Sequence, residues 1–208
     1  MNRFMFFSIP LAIVLLSPAH GSADKAPTTI AGITLGEQIS KFVDLVQMET
    51  SIVLRDRLYM REVRTQEIDG YKSGTVDFGD CSKPGQIVRI KLKYDYEDKN
   101  FYDKLLEKFK EKFGEPDEWR GDPFHVIIAW KWSFKDEKGD NISLILQHSR
   151  DEEYKWGNSV KLTNTTLMDQ EQLCYEKKNQ GKGGTEETKP TSEKRKLSEK
   201  DYQRFIPK

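Results

Sequence analysis

Two cysteines, Cys81 and Cys174, are the only thiols in the chain. Neither belongs to a Cys-x-x-Cys, so a dithiol redox centre or a zinc knuckle is not what they spell. In an oxidising compartment an even pair reads as one disulfide; the alternative is two separate buried thiols. Cys81 begins a turn at Lys83-Pro84-Gly85, and Cys174 follows Leu167 by seven residues, on the same side of a final helix. The histidines outside the N-terminal segment are His125 and His148. Strand phase puts His125 on one face of its strand and His148 at the end of the other, which argues against a shared metal site. Carboxylates run together at Asp95, Glu97 and Asp98 and again at Asp151, Glu152 and Glu153. Such runs in loops are solvated, and a glycosidase-type acid pair is not defined without geometry. No Gly-x-Ser-x-Gly, His-Glu-x-x-His or Gly-rich phosphate loop is present. No catalytic residue, metal ligand or cofactor follows from any motif.

Aromatic residues are the remaining chemistry. Trp119, Trp130, Trp132 and Trp156 accompany eight tyrosines and eleven phenylalanines, with lysines between them. Aromatics interleaved with cations can stack bases or sugars. Trp130 and Trp132 are in phase with Ile128 and Phe134, which assigns them to core packing. Trp119 lies in the loop Glu115 to Pro123, where it either caps the core or lines a surface groove. Near the C-terminus, Tyr202 and Phe205 sit in Tyr-Gln-Arg-Phe-Ile-Pro-Lys, a short segment suited to docking on a protein or an anionic membrane surface.

The elements that must position these residues follow from periodicity. Ile39, Phe42, Val43 and Val46 are spaced i, i+3, i+4, i+7 and predict an amphipathic helix over 37–48. Strands are expected over 58–68, 74–80 and 87–94, the last with Val88, Ile90, Leu92 and Tyr94 on one face. Pro84 and Gly85 suit the two central positions of a turn. A helix over 100–113 carries Phe101, Leu105, Phe109 and Phe113 on one side, with Gly114 and Pro116 to end it. A strand over 124–134 has Phe124, Val126, Ile128, Trp130, Trp132 and Phe134 on one face; Ile127 and Ala129 suggest a central position. It returns through Asp136–Asp140 to a strand over 142–148, in a register that sets Phe134 by Ile142, Trp132 by Leu144, Trp130 by Leu146 and Ile128 by His148. A slip of one residue would set the aromatics against the polar face. A strand over 159–163 and a helix over 165–178, capped by Thr165 or Thr166, complete the body. The class is α+β: an antiparallel sheet with helices packed on one face, either as two α-β-β-β halves or as one continuous sheet.

The ends have a different character. Arg3, an apolar run from Phe4 to Leu16 and small residues up to Ala23 follow the pattern of a secretory signal peptide, with cleavage expected before Asp24. The run is too short to span a bilayer, which takes about 20 apolar residues. Residues 181–208 are rich in Gly, Lys, Glu, Ser and Thr and read as a disordered polar tail. Net charge is zero, but the leader carries +1 and the tail +3, which leaves residues 24–180 at −4. An acidic body argues against nucleic acid as a partner.

Gly32-Ile33-Thr34-Leu35-Gly36 resembles the opening of small envelope domains of the SmpA/BamE type, adaptor subunits in outer-membrane protein assembly. The chain lacks the cysteine that anchors those domains to lipid. Phe101 to His148, with Lys112-Phe113-Gly114-Glu115-Pro116 and Trp130-Lys131-Trp132, resembles small exported bacterial α+β proteins of no assigned activity. These resemblances imply an envelope location. The expectation is a periplasmic or secreted protein that binds a protein partner in the cell envelope. The alternative is an envelope hydrolase using carboxylates the sequence does not single out.

Overall fold

Alternating strands dominate the chain. In order, the elements are β1 (Thr29–Ile30), β2 (Ile33–Thr34), one 3-10 turn (Ile39–Phe42), β3 (Val46–Leu54), β4 (Arg57–Thr65), β5 (Tyr71–Gly79), β6 (Ile87–Tyr94), α1 (Lys99–Phe113), β7 (Glu118–Trp119), β8 (Ile127–Lys135), β9 (Asn141–Ser149), β10 (Gly157–Asn164) and α2 (Thr165–Gln180). This computed structural model describes residues 26–150 and 157–180. The expected signal peptide, Asp151 to Glu153, Trp156, and the tail with Tyr202 and Phe205 lie outside the described residues.

The α+β class is borne out: an eight-stranded antiparallel sheet carries two packed helices, beside a small β1–β2 hairpin. Sheet order is β3-β4-β5-β6-β10-β9-β8-β7. Two four-stranded meanders therefore meet at β6 and β10, and a helix follows each. The expected halves were helix-first with three strands; the helices come after the strands instead.

The inner face holds the main core. Val63, Val76, Ile90, Leu92, Trp132, Leu144, Leu146, Val160 and Leu162 are all buried there, beneath α1 and the N-terminal segment. The β8–β9 register is the one the sequence predicts, from Phe134 opposite Ile142 to Ile128 opposite His148. Trp132 is 1% exposed, packs 5.7 Å from the Phe109 ring, and donates its indole N–H to the Gly114 carbonyl at 2.8 Å. Asp98 caps α1 by accepting the Phe101 N–H at 2.9 Å. Gly114 ends the helix at φ 79°, a conformation that favours glycine.

The outer face has its own smaller cluster, in which Met60 and Val88 meet Leu167 and Met168 of α2. Met60 is out of phase with Val63, and a register shift between Asp77 and Phe78 turns Val88 toward Met60. The helices thus divide between the two faces, α1 on the inner and α2 on the outer, where the sequence predicts both on one; the separate apolar cluster of Met60 and Val88 is what α2 covers. Three ties hold α2 to the β5–β6 turn. Cys81 and Cys174 are disulfide-bonded, with Cα atoms 5.9 Å apart. The buried Glu171 carboxylate accepts the N–H groups of Cys81, Ser82 and Lys83 at 2.7, 2.9 and 2.5 Å. Lys178 reaches the Cys81 carbonyl. A Cβ on Gly79 would sit 2.5 Å from the Glu171 Cδ, so only glycine leaves room for that carboxylate.

Four expectations need correction. The 37–48 helix is one 3-10 turn followed by β3. Backbone bonds from Ile39 to Gly85 and from Ile87 to Glu37 tie this stretch to β6, and so short a helix has little stability of its own. The strand expected from 124 starts at Ile127, and Phe124 is exposed. That strand is next to the sheet edge rather than central; only the two-residue β7 lies beyond it. The cap of α2 is Asn164, whose Oδ1 accepts the Leu167 N–H at 2.9 Å, not Thr165 or Thr166.

Candidate functional site: a stiff aromatic loop

Arg120-Gly121-Asp122-Pro123-Phe124-His125-Val126 joins β7 to β8. Asp-Pro is a turn signal, and the turn forms around the Asp122 carboxylate. Its oxygens accept the N–H groups of Phe124 at 2.8 Å, Val126 at 3.4 Å, and Ile127. These bonds, the one from Ile127 above all, hold the Asp122 carboxyl below the usual carboxylate range. Backbone bonds Arg120 to Ala129, Asp122 to Ile127 and His125 to Asp122 close the loop on itself. Arg150 adds its N–H to the Val126 carbonyl and its guanidinium to the His125 carbonyl at 3.0 Å.

His125 adopts φ 55°, in the left-handed region that a non-glycine residue occupies at a cost of about 1–3 kcal/mol. A Cβ at Gly121 would lie 2.2 Å from the Trp119 ring and 2.5 Å from the Ile127 carbonyl oxygen. The backbone is therefore over-determined at both points. What it displays is apolar: Phe124 is 83% exposed, Val126 38% and Trp119 36%. Trp119 stands edge-on to Trp130 at 4.8 Å and tilted to His125 at 5.5 Å. Trp119 is thus part exposed and part packed, and Trp130 connects it to the core.

The sequence reading missed Phe124 and His125 by continuing the strand alternation through them. The signal against that extension was Asp122-Pro123. Exposed Ile52 and Val53 in β3 do not form a comparable patch, because consecutive strand residues point to opposite faces.

Glu97, Asp98 and His148 are bound into the fold. Glu97 contacts Lys72 at 2.8 Å and Lys93 at 3.6 Å, and Asp98 caps α1. His148 is buried and its Nδ1 lies 2.8 Å from Asn158 Oδ1. The Asn158 amide nitrogen donates to the carbonyls of Tyr96 and Asp98, which leaves its oxygen to accept from the imidazole. Tyr102 packs beside that imidazole, and burial raises its phenol well above the ordinary range. His125 and His148 are not brought together. Among the described residues, no group of three or more His, Cys, Asp and Glu is arranged to hold a metal ion.

Asp77 is a carboxylate shifted the other way, upward. It is buried under α2, 3.2 Å from Arg89, which also contacts Thr163 and Met168. Burial pushes it up to about 6, against the opposing pull of Arg89. A carboxyl whose pKa is higher folded than unfolded contributes stability below the unfolded value and loses it as pH rises through the folded one. Between pH 4 and 6 the parent should therefore lose about 2–3 kcal/mol relative to Asp77→Asn, at about 1.4 kcal/mol per pKa unit. Urea unfolding of both proteins at the two ends of that window measures it. A constant difference between them would show that Asp77 ionises in the fold as it does unfolded.

One recess, of about 70 Å³, is lined in part by Lys83, Gln86, Asp136, Lys138 and Asp140. That is room for a few waters, whereas a more open recess of about 410 Å³ lies where α2 meets the β5–β6 turn, lined by Ser82, Gln170, Leu173, Cys174, Lys177 and Lys178. Comparison of the chain with protein-family models, with curated proteins and with solved structures finds no match.

Proposed function

We propose that this protein is exported to the cell envelope and works there by binding a protein partner through the Arg120–Val126 loop. The observation that carries the reading is the stiff presentation of Phe124. A side chain 83% exposed sits on a backbone fixed by the Asp122 carboxylate and by a left-handed His125. Strain and internal bonding spent on an exposed hydrophobe suit a preformed contact, because little ordering entropy is then lost on binding. Trp119 and Val126 extend the apolar area around it. The Cys81–Cys174 bridge suits an oxidising compartment, as does the leader pattern. The resemblance of Gly32–Gly36 to SmpA/BamE-type adaptors points the same way.

Phe124→Ser tests the reading. Its side chain is exposed, so stability should change by no more than about 0.5 kcal/mol. Native electrophoresis of envelope extracts should show the parent in a larger complex and the variant free. Leu173→Ser, at an exposed apolar site on α2, should keep the complex. Retention of the complex by Phe124→Ser would refute the assignment to this loop.

A further inference from the structure

The sheet closes one of its edges and leaves the other open. On the β8 side, Asp117, Arg120 and Asp122 donate their N–H groups to the carbonyls of Lys131, Ala129 and Ile127, and the Asp117 carboxylate accepts the Ser133 N–H. On the other side, β3 pairs with β4 alone among the described residues. An edge strand presents unpaired N–H and C=O groups, a template for another strand. The first half of β3 is guarded by a bulge, where register shifts between Gln47 and Ile52. That bulge is bound from within: Thr50 Oγ1 donates to the Gln47 carbonyl at 2.7 Å and accepts the Arg64 N–H at 2.9 Å, and Arg61 donates to Ser51. Beyond it, Ile52-Val53-Leu54 carries neither charge nor proline. Ile52 and Val53 are exposed on opposite faces. A molecule lying on one face would cover one of them. A strand added at the edge places side chains on both faces and covers both.

The chain itself delivers a strand to this edge. α2 crosses the outer face in sheet order. Thr166 accepts the Asn141 N–H of β9, Met168 meets Arg89 of β6, Glu171 lies against Gly79 of β5, and Tyr175 stands 6.1 Å from Tyr59 of β4. β3 is next in line, so the chain leaves α2 at Gln180 on the β3 side of the sheet. Residues 181–201 have the composition of a flexible linker, and a linker of that length covers about 25 Å on average. Tyr202-Gln203-Arg204-Phe205-Ile206 follows. In a strand, Tyr202 and Ile206 would share one face and Phe205 would take the other, which matches an edge that is apolar on both. Pro207 is tolerated there, because an edge strand has one side with no ladder to complete. We propose that Tyr202–Ile206 docks on the open edge of β3, beside Ile52–Leu54, as an additional strand. It shields an edge that otherwise pairs with other chains. The contact does not involve the Arg120–Val126 loop, and either assignment can fail alone.

The test is amide exchange in the full-length oxidised protein without its leader, compared with its Phe205→Ser, Ile206→Ser double variant. Tethering holds the segment at an effective concentration in the millimolar range. A segment with a Kd of about 0.1 mM is then docked about nine-tenths of the time, and the outward amides of Ile52–Leu54 exchange about tenfold more slowly. The double variant should lose that protection while amides of β6 keep theirs. Leu197→Ser, also in the tail but outside the docking segment, should exchange like the parent. Equal exchange of Ile52–Leu54 in the parent and the double variant would overturn the proposal. So would protection that grows with protein concentration alongside a doubled mass in sedimentation, which would assign the edge to a second copy of the chain.

Discussion

Trp132→Ala should cost about 3–5 kcal/mol of folding stability, the range for truncating a buried large aromatic. The residue is 1% exposed, packed against Phe109, and its indole N–H satisfies the Gly114 carbonyl just past the end of α1. Truncation leaves a cavity between β8 and α1 and also strands that carbonyl. The sequence admitted another role for tryptophans spaced two apart, as a stacking platform. The two roles predict opposite behaviour of one variant. Core packing predicts a large fall in the urea midpoint with unfolding still cooperative. A platform predicts an unchanged midpoint and a lost ligand, and an unfolding curve like the parent's would remove Trp132 from the core account.

Removing the Cys81–Cys174 bridge should cost nearly as much by a different route. The bond joins residues 93 apart in sequence. Chain entropy then gives an upper figure of about 4–5 kcal/mol, exerted on the unfolded ensemble. The native state should change little, because Glu171 keeps its three N–H partners and Leu167 keeps its place in the outer cluster. Cys81→Ser with Cys174→Ser should therefore fold to the same structure and melt roughly 10 °C lower. Amide exchange in α2 distinguishes this from local release. Loss of protection confined to α2 would mean that the bridge, not the carboxylate, holds the helix down.

Period-two patterns were the legible part of the fold. β6 and the β8–β9 pairing could be read residue by residue because a one-residue slip would bury the polar face. α1 was readable for a similar reason: four turns of apolar spacing ended by Gly114 and Pro116. The 37–48 stretch carries the same spacing over only two turns, and bonds to β6 from far along the chain overrode it. Asn164 was missed as the α2 cap because it also ends β10; one residue serves both elements. Glu171 looked like any surface acid of a helix. Its role depends on three backbone N–H groups supplied by a turn some ninety residues earlier, a contact no local pattern records. Of the candidate site, Trp119 was legible as an aromatic with no strand to belong to. Phe124 was not, because the Asp122 carboxylate breaks the alternation that had absorbed it. Tyr202 and Phe205 lie outside the described residues and remain sequence expectations.

The central claim is that Phe124 touches a partner in the envelope. Photo-cross-linking from position 124 in the producing cell tests it most directly. A photoreactive residue there should give one discrete protein adduct, and the same residue at Leu173 should not. Asp122→Ala, which removes the acceptor that stiffens the loop, should weaken the adduct while leaving the protein folded. No adduct from position 124, or the same adduct from both positions, would contradict the account.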